Sequence, residues 1–218
     1  MTGNAVVNRL FQALEIFVKV TALNAVWLLF TVLGLGVFGF FPAAAALLAV
    51  VRKWLMEGMD IPLFRTFAAS YKSEFVKANL YGFLIVLYGW VLFVNYQYMQ
   101  IATGWLQPVI AVGFIITAVL FLLTVTFLFP SLVHFRLSFA ENIKFAFLLG
   151  VTKFYLPVLA GAGLMLVYHA VLYVPGILGF FIPSMTGLIL MSVTYLGMRK
   201  VPVPKQSPAG SEASACQV

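Results

Sequence analysis

"GFFPAAAALLAVVRKW", residues 39–54, closes an uncharged apolar run that begins at Val20 and ends at Val51. A helix of those 32 residues would measure about 48 Å against a hydrocarbon thickness of roughly 30 Å, too long for one ordinary crossing. Gly34, Gly36 and Gly39 weaken helix propensity. Pro42 lacks an N–H, biases Phe41 away from the α region, and suits the first turn of a new helix. Ala43 to Ala46 then restart a helix whose small side chains allow close approach to a neighbour. The expected product is a helical hairpin turning between Gly34 and Pro42, with Arg52 and Lys53 at its far end. A re-entrant segment that enters and returns on one side competes with it, because the second span, 42–56, is short. Its non-helical backbone would have to be shielded by protein.

Composition agrees with a membrane reading. Apolar residues make up 63% of the 218-residue chain and charged residues 9%, where soluble domains carry roughly 25% charge, so the chain cannot cover itself with a polar surface. The class is all-α, a polytopic transmembrane helical bundle. Its crossings are expected near 20–39, 42–56, 79–99, 106–132, 154–173 and 176–197. The net charge of +7 sits between these runs, which points to anionic lipid and not to nucleic acid.

Charge placement sets the topology. With the N-terminus cytoplasmic, six crossings put 1–19, 52–78, 134–153 and 198–218 inside, and these segments hold all 13 basic and all six acidic residues. The turns near Gly34–Pro42, Gln100–Gln107 and Val174–Gly176 carry none. Five crossings would move Arg65, Lys72 and Lys77 outside, against the positive-inside rule, so both termini are expected in the cytoplasm.

Glu57 to Asn79 is the most informative polar stretch. Gly58 can end one helix, Asp60 can cap the next, and Phe64, Phe67, Tyr71 and Phe75 recur at spacings of three, four and four. That stripe, opposed by Arg65, Lys72, Glu74 and Lys77, predicts an amphipathic cytoplasmic helix near 61–78 that lies in the lipid interface or docks into a partner. Ser138-Phe139-Ala140-Glu141 reads as a capping box opening a second inner helix, with Phe139, Phe145 and Leu149 on one side and Asn142 and Lys144 off it. Two such helices could form a platform.

Chemistry is sparse. "GLGVFG", Gly34 to Gly39, fits a dinucleotide fingerprint, but a membrane-length run precedes it and no βαβ alternation exists, so turn or packing glycines explain it. No nucleotide, hydrolase or zinc-protease motif occurs, and Cys216 alone can make no intramolecular disulfide. Neither a cofactor nor a metal nor a catalytic residue is expected. Asn24, Thr31, Thr117 and Thr124 are the intramembrane polar groups, expected to serve hydrogen bonding between or within helices. "NYQYMQ", Asn95 to Gln100, could meet a sugar near the outer face, though an aromatic belt accounts for it as well. After Lys200 the composition turns to Pro, Ser, Ala and Gly, so 1–200 is expected as one embedded domain and 201–218 as a disordered cytoplasmic tail.

The opening stretch and the helix after it carry a resemblance. Phe38, Gly39, Pro42, Ala43, Ala46, Leu47, Arg52, Lys53 and Trp54, followed by Phe64, Phe67, Phe75 and Asn79, resemble the signature of the YesL-like family of bacterial integral membrane proteins, a domain of unknown function. The likeness runs from Val20 to Gly82. One departure is Ala44, where many relatives carry Thr or Ser. The resemblance implies a multi-pass protein of the bacterial cytoplasmic membrane, often encoded beside permeases of carbohydrate ABC transporters, and no established activity. On that basis the chain is expected to act without catalysis, as an accessory or assembly partner of such an uptake system. Its partners would be the bilayer and ABC permease or ATPase subunits. A channel or transporter for a small neutral solute is the alternative.

Overall fold

The computed structural model describes residues 2–135, 137–173 and 175–198; the tail expected at 201–218 lies outside them. The described regular structure is entirely helical: α1 (Thr2–Leu33), α2 (Val37–Glu57), α3 (Leu63–Ile101), α4 (Leu106–His134), α5 (Phe139–Thr152), α6 (Tyr155–Tyr173) and α7 (Pro175–Met198). All but α5 contain a stretch long and apolar enough to cross a membrane, which makes six candidate spans.

The hairpin forms, with its corner earlier than expected. The turn is Gly34-Leu35-Gly36, with φ of 60° at Leu35 and 71° at Gly36. It is closed by the Gly34 N–H on the Phe30 carbonyl at 3.0 Å and the Gly36 N–H on the Thr31 carbonyl at 2.9 Å. Pro42 does not begin α2 but lies inside it. In the second turn its missing N–H removes one bond, to the Phe38 carbonyl, and the helix carries on. Starting at Val37, α2 has 21 residues and a length of about 31 Å, enough to cross, and this continuous helix replaces the re-entrant alternative.

The amphipathic segment at 61–78 is not a separate helix. It is the first part of α3, which runs unbroken for 39 residues and about 58 Å. Asp60 does not cap it, since Pro62 holds the cap position without a side-chain bond, and Asp60 instead meets Lys19.

The bundle is organised around α2, which packs against α1, α3, α4 and α7. One face of α2 buries Ala43, Ala46, Leu47, Val50 and Trp54 with Leu23, Phe67, Tyr71 and Met191. A second cluster joins Ala45 to Ala78, Tyr81, Phe127, Leu149 and Leu156, and Phe129, Val133 and Leu190 touch both, so the core is continuous. Close approaches fix the neighbours. A Cβ on Gly150 would lie 2.6 Å from the Leu123 carbonyl oxygen, holding α5 against α4. Asn142, Ala146, Leu149 and Gly150 are buried there, so Asn142, read as lying off the apolar side of this helix, belongs with Leu149 in its packed face.

Away from this core, the buried residues of α3 end at Gly82 and those of α4 begin at Phe127. Beyond these points about 28 Å of α3 and about 31 Å of α4 form a two-helix arm. Tyr88 stacks on Phe121 at 4.8 Å, and Tyr96 meets Phe114 at 6.2 Å. The α1–α2 corner touches α3 at Tyr71, and Phe41 just after it reaches Gly82, both far from Ile101. The corners at Gly34 and near Gln100, expected on one outer surface, are therefore not level. The excess length of α3 carries the second one past the first.

Candidate functional site

The two sets of residues singled out by sequence, the hairpin motif and the aromatic stripe, pack against each other. A Cβ on Gly39 would lie 2.4 Å from the Thr31 carbonyl oxygen, so α1 and α2 touch backbone to backbone. Pro42 and Ala43 continue the buried wall of α2. Onto this corner fold Phe67, fully buried, and Tyr71, whose hydroxyl donates to the Phe30 carbonyl at 3.2 Å. The Phe30 ring meets Phe64, Phe67 and Tyr71 at centroid distances of 5.7, 5.1 and 5.0 Å. Phe75 is half-buried beside Tyr71, and Phe64 remains 57% exposed. The stripe is thus largely committed inside the chain, because large rings complement a wall of small residues. Arg65, Lys72 and Lys77 face outward opposite it.

At the other end of α2, Arg52 ties two helices together. Its Nε donates to His134 Nδ1 at 3.2 Å and its Nη1 to the Val133 carbonyl at 3.1 Å. This contact places the ring proton of a neutral His134 on Nε2. The guanidinium also occupies carbonyl capacity that the last turn of α4 would otherwise leave unsatisfied. Lys53 is half-buried; Trp54 is 6% exposed and its indole N–H has no partner among the described residues. Nearby, Lys19 contacts both Glu15 and Asp60 at 2.6 Å, and the Lys153 ammonium donates to the Gly197 carbonyl. The Lys19–Asp60 and Arg52–His134 contacts join segments that the charge pattern assigns to one face, whereas the Tyr71–Phe30 contact joins the segment 52–78 to the corner at Gly34, which that pattern assigns to the other.

Two carboxylates outside the spans are held below their ordinary values. Asp60 is lowered by the hydrogen bond and charge of Lys19, and Glu141 by its hydrogen bonds with the Ser138 hydroxyl and N–H.

The buried polar groups serve cohesion. Asn24 is 1% exposed and accepts the N–H of Ser184 at 3.2 Å, joining α1 to α7 one residue after the helix-disrupting Pro183. Thr31 and Thr124 bond back to Trp27 and Leu120 at 2.8 Å each, and Thr117 to Gly113. Sequence reasoning missed a second knot. Ser131 donates to Asn142 Oδ1 at 2.8 Å, Asn142 Nδ2 donates to the Leu128 carbonyl at 3.1 Å, and the Tyr81 hydroxyl donates to the Phe139 carbonyl at 3.1 Å. Its only local signal is an amide one position past a capping box. That box forms as read, with the Ser138 N–H on Glu141 at 3.0 Å. No three His, Cys, Asp or Glu side chains converge among the described residues as a metal site.

Two hollows flank the arm. One, of about 580 Å³, lies at its root between α3, α4 and α5. The other, of about 500 Å³, lies near its tip, where Tyr96 and Gln100 from "NYQYMQ" meet Gln107.

Residues 20–96, the second half of α1, all of α2 and most of α3, match a family model described as "Protein of unknown function, DUF624". The chain is 34% identical over 198 residues to the uncharacterized protein YesV of Bacillus subtilis, covering 89% of this chain and 94% of that one. It is 32% identical over 201 residues to YteU of the same organism, with 92% and 90% covered, and 31% identical over 183 residues to YesL, with 84% and 86% covered. No solved structure matches. The chain belongs to the YesL-like DUF624 family.

Proposed function

We propose that this membrane protein is a non-enzymatic accessory or assembly partner of a bacterial carbohydrate uptake system of the ABC type, seated in the cytoplasmic membrane. The observation that carries this reading is the division of the molecule. Its buried Asn24, Ser131 and Asn142 are spent on joining helices, and α4 fully buries nothing before Phe127, so the α3–α4 arm keeps an apolar surface uncommitted to its own core. A surface of that kind suits contact with the membrane-embedded helices of a permease, where packing of complementary side chains drives association. The system it serves is taken from the setting that the family resemblance implies. Docking through Phe67 and Tyr71 is replaced in this reading by docking through the arm, since those rings already have partners.

The test is affinity purification in mild detergent from cells grown on the inducing sugar. Permease or ATPase subunits should co-purify with the native chain and be lost from a variant carrying Val109→Ser, Val112→Ser and Ile116→Ser on the arm. Recovery of neither subunit with the native chain would defeat the proposal. Uptake of labelled sugar by liposomes holding this protein alone would establish the transporter alternative.

A further inference from the structure

The 580 Å³ hollow at the root of the arm falls within the roughly 300–1,000 Å³ range of sites that enclose a small ligand. Leu84 and Tyr88 of α3 form one wall, Leu120 and Phe121 of α4 the other, and Ile143 and Phe147 of α5 help line it. Its one polar group on α4, the Thr124 hydroxyl, already donates to the Leu120 carbonyl at 2.8 Å. A sugar or other polar solute would leave its hydroxyls unsatisfied against these walls, whereas a hydrocarbon chain loses nothing. A single cation, Lys144, stands among the lining residues, exposed and without a hydrogen bond or salt bridge among the described residues. It lies on α5, in the segment that the charge pattern assigns to the cytoplasmic face.

We propose that this hollow holds an acyl chain of one anionic phospholipid, whose phosphate sits on the Lys144 ammonium. Apolar walls and one lining cation, Lys144, whose charge is also felt by the Glu141 carboxylate on the same helix, match the two halves of such a lipid, and basic pockets between helices on the cytoplasmic side are where acidic headgroups are recognised. Lipid here would wedge between α3, α4 and α5 where the protein's own packing stops. The inference stands apart from the uptake-system proposal and needs no partner protein.

Native mass spectrometry of the purified protein, titrated with phosphatidylglycerol or phosphatidylcholine of identical chains, tests it. The native chain should retain one phosphatidylglycerol with about a fivefold preference over phosphatidylcholine, the worth of one lysine near an anionic surface. Lys144→Gln should abolish the preference while still retaining lipid, and Lys72→Gln, on the exposed face of α3, should leave it intact. Leu120→Trp, which fills the hollow, should lower retention of both lipids. Because Lys144 is exposed, its variant should fold as the native chain does. Equal retention of the two lipids by the native chain, or an undiminished preference in Lys144→Gln, would overturn the proposal. Retention indifferent to Leu120→Trp would also overturn it, by marking the bound lipid as adventitious.

Discussion

Two helices of this chain, α2 and α4, are both apolar and both of crossing length, yet their fates are opposite. In its most apolar stretch 56% of the residues of α2 are buried, while in the corresponding stretch of α4 none is fully buried. Hydrophobicity cannot be what places α2 at the centre, since in lipid there is no apolar driving force between helices. Side-chain size separates them. Gly39, Ala43, Ala45 and Ala46 let α1, α3 and α7 close around α2, whereas Val109, Val112, Ile115 and Ile116 keep the beginning of α4 turned outward.

Glycines offer the largest contrast. At Gly39 an added methyl would meet backbone, so Gly39→Ala should destabilise the bundle by about 3 kcal/mol, as overpacking does. At Gly113 on the arm nothing lies within 4 Å, and Gly113→Ala should stabilise by about 0.5–1 kcal/mol through helix propensity. Thermal midpoints in detergent should move in opposite directions; a shared sign would break the comparison.

The Arg52 link comes next. Arg52→Ala strands the Val133 carbonyl and His134 Nδ1 and should cost about 1–3 kcal/mol, with Arg52→Lys recovering only part because it lacks the forked donor. Full rescue by lysine would show that charge alone matters. Asn24→Leu should cost about 1 kcal/mol, in line with interhelical hydrogen bonds in membranes, by orphaning the Ser184 N–H. Val112→Ala on the arm should stay within about 0.5 kcal/mol.

The smallest effect is on acid stability. The Glu141 carboxyl is lowered in the folded chain, so its capping contribution is present above the ordinary value of 4.5 and is lost as pH falls through the depressed folded value. Glu141→Gln should therefore flatten the decline in thermal midpoint below about pH 4.5. An unchanged acid limb would remove the capping box from the account.

Much of this was legible in the residues. Six apolar runs gave six candidate spans, and the Gly34–Gly39 cluster announced a corner because close backbone approach needs glycine. Ser138 and Glu141 marked a helix start because the capping box is local chemistry. The start of α1 at Thr2 and the fusion of 61–78 into α3 were not legible, since a charged residue such as Lys19 or Lys77 ends an apolar run without ending a helix. Nor was the inward turn of Phe67 and Tyr71. An amphipathic stripe looks the same whether lipid, a partner or the chain's own α2 covers it, and only tertiary contact with Phe30 decides. The Ser131–Asn142 knot depended on α5 folding back along α4, which no local spacing encodes.

Four native tryptophans allow the buried hub and the exposed arm to be compared directly. Trp54, 6% exposed, reports on α2, and Trp90, 64% exposed, on the arm. In single-tryptophan variants reconstituted into bilayers, with the other three replaced by Phe, quenching by phosphatidylcholines brominated at successive chain depths should be strong for Trp90 and weak for Trp54 at every depth. Equal quenching of the two, or stronger quenching of Trp54, would contradict a bundle built around α2 with the α3–α4 arm in lipid.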